Sequence, residues 1–532
     1  MQTGTREIPL LLYSPEMPPF DPPQILTSDA CLPCPVCCIF ADRSSPFRPF
    51  FAGPEIGRLA PGEPERLRLF GTLTQSVGSH AEVVPDGLNF RCPFLDPASH
   101  ACTIFDRRPL DCRLYPFMIA YSSDVGRISL VLDLHCLSLV EGDSRVLPHA
   151  HRLALWIEEN AAAIAAPDTR GVIAAPQDSH HPLLPLPRLS RLLLGPGGWK
   201  HVLSGDAQRF PPSTSFTRAL FSHYLWRDRM NLIWKPFREG LLLAAFEGSG
   251  SFIPRPPPGV NLTPAVVREI EAAWVDLHAG PAVPLRMEGV LEEEIPALRA
   301  AGWTIRRSGT EYIHPTSDAA DLRGNRFKGE RNAANKFERH SRPALRDLRS
   351  GDIPAALVLY WRWLGRNPER LVEGSFRRLL AEDSLLAYKR ALHEASDLGI
   401  MALVAEAGGK IAGISLSARI GPELACIFFE LADPDHPGAA PFLFRAAARV
   451  HRGASRLSSM DDSGLPELAR AKGAGSPQRV PLYQALSGRA GETGKNTAEL
   501  DSAEEICDKT VTNHSSLHPY PCQAAQLRDA GL

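Results

Sequence analysis

Eight of the eleven cysteines in this 532-residue chain fall before residue 137, at positions 31, 34, 37, 38, 92, 102, 112 and 136. No other feature of the sequence narrows the possible folds so far. Four are packed as Cys31-Leu-Pro-Cys34-Pro-Val-Cys37-Cys38. Thiolates two residues apart can turn back on one ion, because the backbone between them closes a tight loop. Pro33 and Pro35 stiffen that loop. Zinc takes four such ligands in a tetrahedron, and iron–sulfur clusters use cysteines at similar spacing. Structural cysteines would be spread along the chain, and a disulfide framework needs an oxidising compartment. The pattern therefore reads as a centre for zinc or iron, an iron–sulfur cluster included. Its ligand set is Cys31, Cys34, Cys37, Cys38, Cys92, Cys102, Cys112 and Cys136. Structural and redox purposes both stay open.

The chain is too long for one ordinary hydrophobic core, so two or three domains are expected. Hydrophobic residues make up 44% and charged residues 22%, a globular composition with a formal net charge of −2. That charge excludes a bulk nucleic-acid binder but leaves room for a local basic face. No apolar stretch is long enough for a transmembrane helix. The run Ile8–Tyr13 lacks a basic flank and soon meets prolines, so no signal peptide is expected and the cytoplasm is the expected compartment.

Four segments follow. Residues 1–165 form the cysteine-rich domain, closing on a helix-like run His149–Ala165. Residues 166–190 are rich in proline and read as a linker. Residues 191–487 alternate helix and strand. Residues 488–532 are polar and aperiodic and read as a disordered tail. In the third segment Thr263–Pro264 is a helix start, with Val267, Ile270, Trp274 and Leu277 at helical spacing. Asp352 is placed to cap a helix carrying Val358, Trp361 and Leu364. Three strand-like runs, Met401–Ala405, Ile411–Ala418 and Leu424–Leu431, are separated by Gly408–Gly409 and Gly421–Pro422. A helix over Ala440–His451 follows. Three antiparallel strands and then a helix is the order of GNAT-type acyltransferases. The fold class is thus α/β (α+β): a small cysteine-rich metal-binding domain, then a GNAT-like transferase.

Two resemblances sharpen this. The cysteine block, followed by Cys92-Pro-Phe-Leu95, Cys102-Thr-Ile-Phe105, Arg108-Pro109, Cys112-Arg113 and Tyr115-Pro116, resembles the zinc- or iron-chelating CxxCxxCC family (YkgJ-like proteins) over residues 28 to 137. The resemblance implies metal binding, with Arg108 and Arg113 as groups that could steady thiolate charge. Residues 200 to 485 resemble the C-terminal domain of phosphatidylglycerol lysyltransferases, a tandem GNAT-like fold that transfers an aminoacyl group from charged tRNA. The matching pieces are Tyr224-Leu-Trp226, Pro256–Gly259, Glu311-Tyr312, the block from Leu322 to Phe337, Phe429-Glu430, Asp462-x-Gly464 and Leu468-x-x-Ala471-Lys472. The chain departs from that family at Ser458, where Asn is usual, and at Ala469, where Arg is usual.

From Asp321 to Arg342 seven basic side chains face three acidic ones, a local excess of +4 on a chain near neutrality. Arg323, Lys328, Arg331, Asn332, Asn335 and Lys472 are accordingly the substrate-binding candidates. Glu430 and Asp462 are the candidate catalytic bases. At the start of the Ala440–His451 helix, Asp435 stands where a pyrophosphate-binding loop carries a basic or amide residue, which argues against acetyl-CoA. The expected partner is aminoacyl-tRNA or another phosphate-bearing acyl donor, such as an acyl thioester, and the acceptor is open. The alternatives are a redox or metal-handling protein with a non-catalytic GNAT-like module, and an adaptor with a structural zinc.

Overall fold

The structure is a computed structural model. It describes residues 21–26, 34 and 36–487, apart from positions 44, 46, 61, 72–77, 123–126, 137–138, 140–142, 178, 196–213, 228–229, 248–249, 258, 278–284, 367–371 and 373–374. The Ile8–Tyr13 run, Cys31 and the tail from 488 lie outside the described residues. Contacts divide the chain into two compact units, one built mainly from the residues before 194 and one mainly from those after.

In the first unit, a 3-10 turn Val36–Cys38 runs into a short strand, Ile39–Phe40, which pairs with Asn89–Arg91. A second sheet of four strands has the order Ile173–Ala174, Phe117–Ser122, Arg127–Asp133, His180–Pro185. The helix Val146–Glu159 buries Val146, Ala150, Leu153 and Ile157, each apolar side chain larger than alanine contributing about 1.5–3 kcal/mol. The proline-rich stretch is not a linker. Residues 173–174 and 180–185 are strands of this sheet, and Pro187–Leu194 is a helix. Proline density suggested otherwise because proline cannot donate to a ladder. Here Pro182 and Pro185 sit on the edge strand, where one side needs no donor.

The second unit is built from two copies of one sequence of elements. The first copy comprises β1 (Ile233–Phe237), β2 (Gly240–Glu247), β3 (Gly250–Ile253), α1 (Pro264–Leu277), β4 (Arg286–Val290), α2 (Ile295–Ala300) and β5 (Thr304–Pro315). Helices α3 (Thr316–Asp321) and α4 (Lys328–Ser341), strand β6 (Ala344–Asp347), and helices α5 (Ile353–Gly365) and α6 (Phe376–His393) connect it to the second. The second copy comprises β7 (Met401–Ala407), β8 (Lys410–Arg419), β9 (Leu424–Ala432), α7 (Ala439–Val450), β10 (Arg456–Asp461), α8 (Pro466–Lys472) and β11 (Gln478–Leu486). In both copies the third and fourth strands pair in parallel and the other neighbours are antiparallel. The copies exchange their last strands: β11 lies between β4 and β5, and β5 lies between β11 and β10. One sheet of eleven strands results, in the order β1-β2-β3-β4-β11-β5-β10-β9-β8-β7-β6.

Local chemistry explains the elements that the sequence placed. Thr263 accepts from the Val266 amide at the start of α1, and Val267, Ile270, Trp274 and Leu277 are buried along it. Gly408 and Gly409 both take positive φ, 58° and 75°, as a two-residue hairpin turn between β7 and β8 requires. Helix α5 carries Val358, Trp361 and Leu364. Ala356, Leu359, Tyr360 and Leu364 face the core, while Val358 and Trp361 are exposed. Asp352 accepts from the Arg349 amide and pairs with Arg346 rather than capping α5.

Candidate functional site

Strands β9 and β10 hold the geometry that matters most. They pair only from Leu424–Cys426 against Arg456–Ser458. Both then continue, β9 to Ala432 and β10 to Asp461, without pairing to each other. Two parallel strands that part in mid-sheet leave a wedge between their carboxyl ends.

Ionisable side chains gather at this wedge. Glu430 is on β9 and only partly exposed; burial lifts its carboxyl to about 8, with Lys472 opposing the shift. Lys472, at the end of α8, donates to the Asp461 carbonyl. Burial pulls its ammonium down, while Asp461, Cys426, Asp462 and Glu311 hold it up. Asp462 is buried; it accepts from the Tyr312 hydroxyl at 2.8 Å and from the Gly464 amide at 3.1 Å. Glu311 on β5 is wholly buried. It accepts from the Ser215 hydroxyl, from the Phe216 amide at 3.0 Å and from the Ser458 hydroxyl at 2.6 Å. Burial raises its carboxyl and that of Asp461. Trp226 stacks on Phe429 at 5.2 Å, one residue before Glu430.

The structure thus groups Glu430, Asp462 and Lys472, two expected bases and one expected substrate-binding residue. The other five substrate-binding candidates lie on α4 and the turn before it. Lys328, Asn332 and Lys336 are exposed at four-residue spacing on one face of α4. Arg331 instead donates to the Leu322 and Gly324 carbonyls, Arg323 pairs with Asp321, and Asn335 accepts from Arg445 at 3.0 Å. Sequence reasoning did not single out Glu311 or Asp461 as charged groups of the site, nor Tyr312 as the partner of Asp462. The available signal was an acid inside the otherwise strand-like run Glu311-Tyr-Ile-His314. Ser458 hydrogen-bonds Glu311, so the position that departs from the resembled family is part of this network.

At α7, Asp435 pairs with Arg362 at 2.7 Å and Arg366 at 2.8 Å. Gly438, at the helix start, takes φ 94°, and a Cβ there would lie 2.3 Å from the Ala333 carbonyl oxygen of α4. The first turn of α7 is therefore closely covered by α4.

In the first unit, the Cys38 carbonyl accepts from the Cys92 amide at 2.9 Å, which brings the two cysteine blocks together. Cys102 bridges to Leu95, and Cys112 sits on the short helix Leu110–Leu114. The thiols of Cys37, Cys92, Cys102 and Cys112 are near enough that the first, second and fourth feel the charge of their neighbours. Burial drives Cys92 up to about 12 and Cys112 well above its ordinary value. A hydrogen bond with Cys38 and burial push the Cys37 thiol well up, with Arg108 opposing the shift, whereas Arg113 spends its guanidinium on the Arg108 and Asp106 carbonyls. Soft, clustered thiols suit zinc or iron. Among the described residues, however, no three donor side chains form a closed metal site. Cys34 and Cys38 are half-buried, Cys136 is buried, and Cys31 is outside the described residues.

The family described as "Phosphatidylglycerol lysyltransferase, C-terminal" matches residues 213–485. The CxxCxxCC family, described as "Putative zinc- or iron-chelating domain", matches residues 30–136. No curated protein matches the chain. Among solved structures, a conserved protein of unknown function from Bacteroides thetaiotaomicron is similar at 22% identity and a TM-score of 0.48, over 54% of this chain and 97% of that one. L-PGS from Bacillus licheniformis is similar at 14% identity and a TM-score of 0.41, over 59% of this chain and 96% of that one.

Proposed function

The chain belongs to the phosphatidylglycerol lysyltransferase C-terminal family, and on that premise we propose that its second unit transfers an aminoacyl group from charged tRNA to an amine or hydroxyl acceptor at the wedge between β9 and β10. The observation that carries this reading is Lys472 held on the Asp461 carbonyl at the end of β10, with Glu430 on β9 near enough to feel its charge, where the two strands part. An aminoacyl ester brings its own activated carbonyl. The acceptor nitrogen or oxygen bonds to that carbon and the ester C–O bond breaks. Glu430 takes the acceptor's proton and returns it to the departing ribose oxygen. Lys472 has donors beyond the one on Asp461 and bears charge developing on the carbonyl oxygen. Asp462 acts through Tyr312, which it orients. Lys328, Asn332 and Lys336 offer an exposed donor row for the phosphate backbone of the donor; Arg323, Arg331 and Asn335 build the turn and helix that present it.

The start of α7 supports tRNA over a coenzyme A thioester. A pyrophosphate there would meet the Ala333 carbonyl and an Asp435 already committed to two arginines. The first unit is read as the holder of zinc or iron through Cys37, Cys92, Cys102 and Cys112, completed from Cys31, Cys34, Cys38 and Cys136. When bound, the metal supplies a cross-link between the cysteine blocks. Among the described residues no helix is long and apolar enough to cross a membrane; a cytoplasmic setting fits the reduced thiols that such a centre needs.

Equilibrium binding tests the donor assignment. The full-length protein should bind aminoacyl-tRNA with a steep salt dependence and should ignore acetyl-CoA. Tight acetyl-CoA binding without tRNA binding would overturn it.

A further inference from the structure

A cavity of about 220 Å³ lies at the other end of the strands that form the wedge, lined by His314, Arg326, Ser455, Arg456, Ser476 and Gln478 among others. β10 begins at Arg456 and reaches the wedge at Asp461, so about 17 Å of strand separates the two places. Neither Glu430 nor Lys472 lines the cavity. Its walls are firmly built. Phe327 is buried, and a Cβ on Gly475 would fall 2.1 Å from its ring. His314, 3% exposed, packs on Phe327 and Phe444, and its Nδ1 is buried with no hydrogen-bond partner. Of the nearby acids, Asp318 is taken by Arg326 and Glu423 accepts the Ser455 hydroxyl. Arg456 makes no ion pair among the described residues.

We propose that this cavity binds the phosphoryl group of a small molecule, held by Arg456, Ser476 and Gln478 with the His314 imidazole as a further donor. The donors outnumber what a carboxylate can use, whereas a phosphoryl group presents three acceptor oxygens to converging side chains. Burial and the Arg326 charge hold the imidazole down to about 4, so it is neutral at pH 7 and carries a single N–H. The site is separate from the wedge and stands or falls independently of the aminoacyl-transfer reading.

Calorimetric titration of the full-length protein with inorganic phosphate, with glycerol 3-phosphate and with acetate tests it. Phosphate and the ester should bind saturably, and acetate at least tenfold more weakly. A tighter ester would identify a phosphomonoester as the ligand, and equal affinities would identify free phosphate. Arg456→Gln should weaken binding at least tenfold, while Arg299→Gln, an exposed arginine on α2, should not. Should Arg456→Gln fail to fold, the double variant Ser476→Ala, Gln478→Ala should show the same loss. The absence of saturable phosphate binding, acetate binding as tight as phosphate, or wild-type affinity in the cavity variants would overturn the proposal.

Discussion

At the residue scale Glu430 comes first. Its carboxyl is lifted from 4.5 to about 8 by burial, so the basic form grows as pH rises through 8. Transfer should therefore rise with pH through that range, and Glu430→Gln should lose about 100-fold in rate and the pH dependence with it. Stability runs the other way. A carboxyl whose folded value exceeds its unfolded one is protonated in the native state, and its burial costs more as pH climbs from 4.5 towards 8. Glu430→Gln should match the wild type in urea midpoint near pH 4 and be more stable by about 1–3 kcal/mol at pH 8. Glu311 sets a contrast. Its two oxygens serve Ser215, Phe216 and Ser458 in a wholly buried network. Glu311→Ala should cost about 3 kcal/mol by leaving those donors unmet, seen as a lower midpoint at every pH where the protein folds.

At the element scale the start of α7 makes a sharp comparison. Gly438→Ala must place a Cβ against the Ala333 carbonyl at φ 94°, whereas Gly324, also at positive φ, faces open space. Thermal unfolding should register roughly 3 kcal/mol or more for Gly438→Ala and about 1 kcal/mol for Gly324→Ala. Legibility in the sequence divides along similar lines. Strands β7, β8 and β9 were readable because their apolar runs are punctuated by glycines, and Gly408 and Gly409 take the positive φ of a two-residue hairpin turn. Helix α1 was readable from its threonine–proline start. The strands at 173–174 and 180–185 were not, because prolines on a sheet edge look like prolines in a linker. The buried face of α5 was not legible, because Val358 and Trp361 are apolar yet exposed. The exchange of β5 and β11 between the two copies leaves no local mark at all, being a matter of long-range pairing. Within the site, Glu430, Asp462 and Lys472 could be picked out by resemblance. Glu311 gains its meaning only from Ser215 and Ser458, which are remote in sequence.

At the scale of the whole molecule, a cysteine-rich unit and a unit of the phosphatidylglycerol lysyltransferase C-terminal family share one chain. Replacing Cys92 and Cys112 together by serine should reduce bound zinc or iron by about tenfold on metal analysis and lower the unfolding temperature of the protein as purified. Unchanged metal content would move the centre to the remaining cysteines. The claim that joins sequence, sheet and chemistry is transfer at the wedge. Single-turnover reaction of the full-length protein with radiolabelled aminoacyl-tRNA and a panel of amine and hydroxyl acceptors measures it directly. Transfer at the wedge predicts label passing to an acceptor in the wild type and at least 100-fold slower transfer in both Glu430→Gln and Lys472→Met, each still folded. Equal rates in wild type and both variants would contradict it.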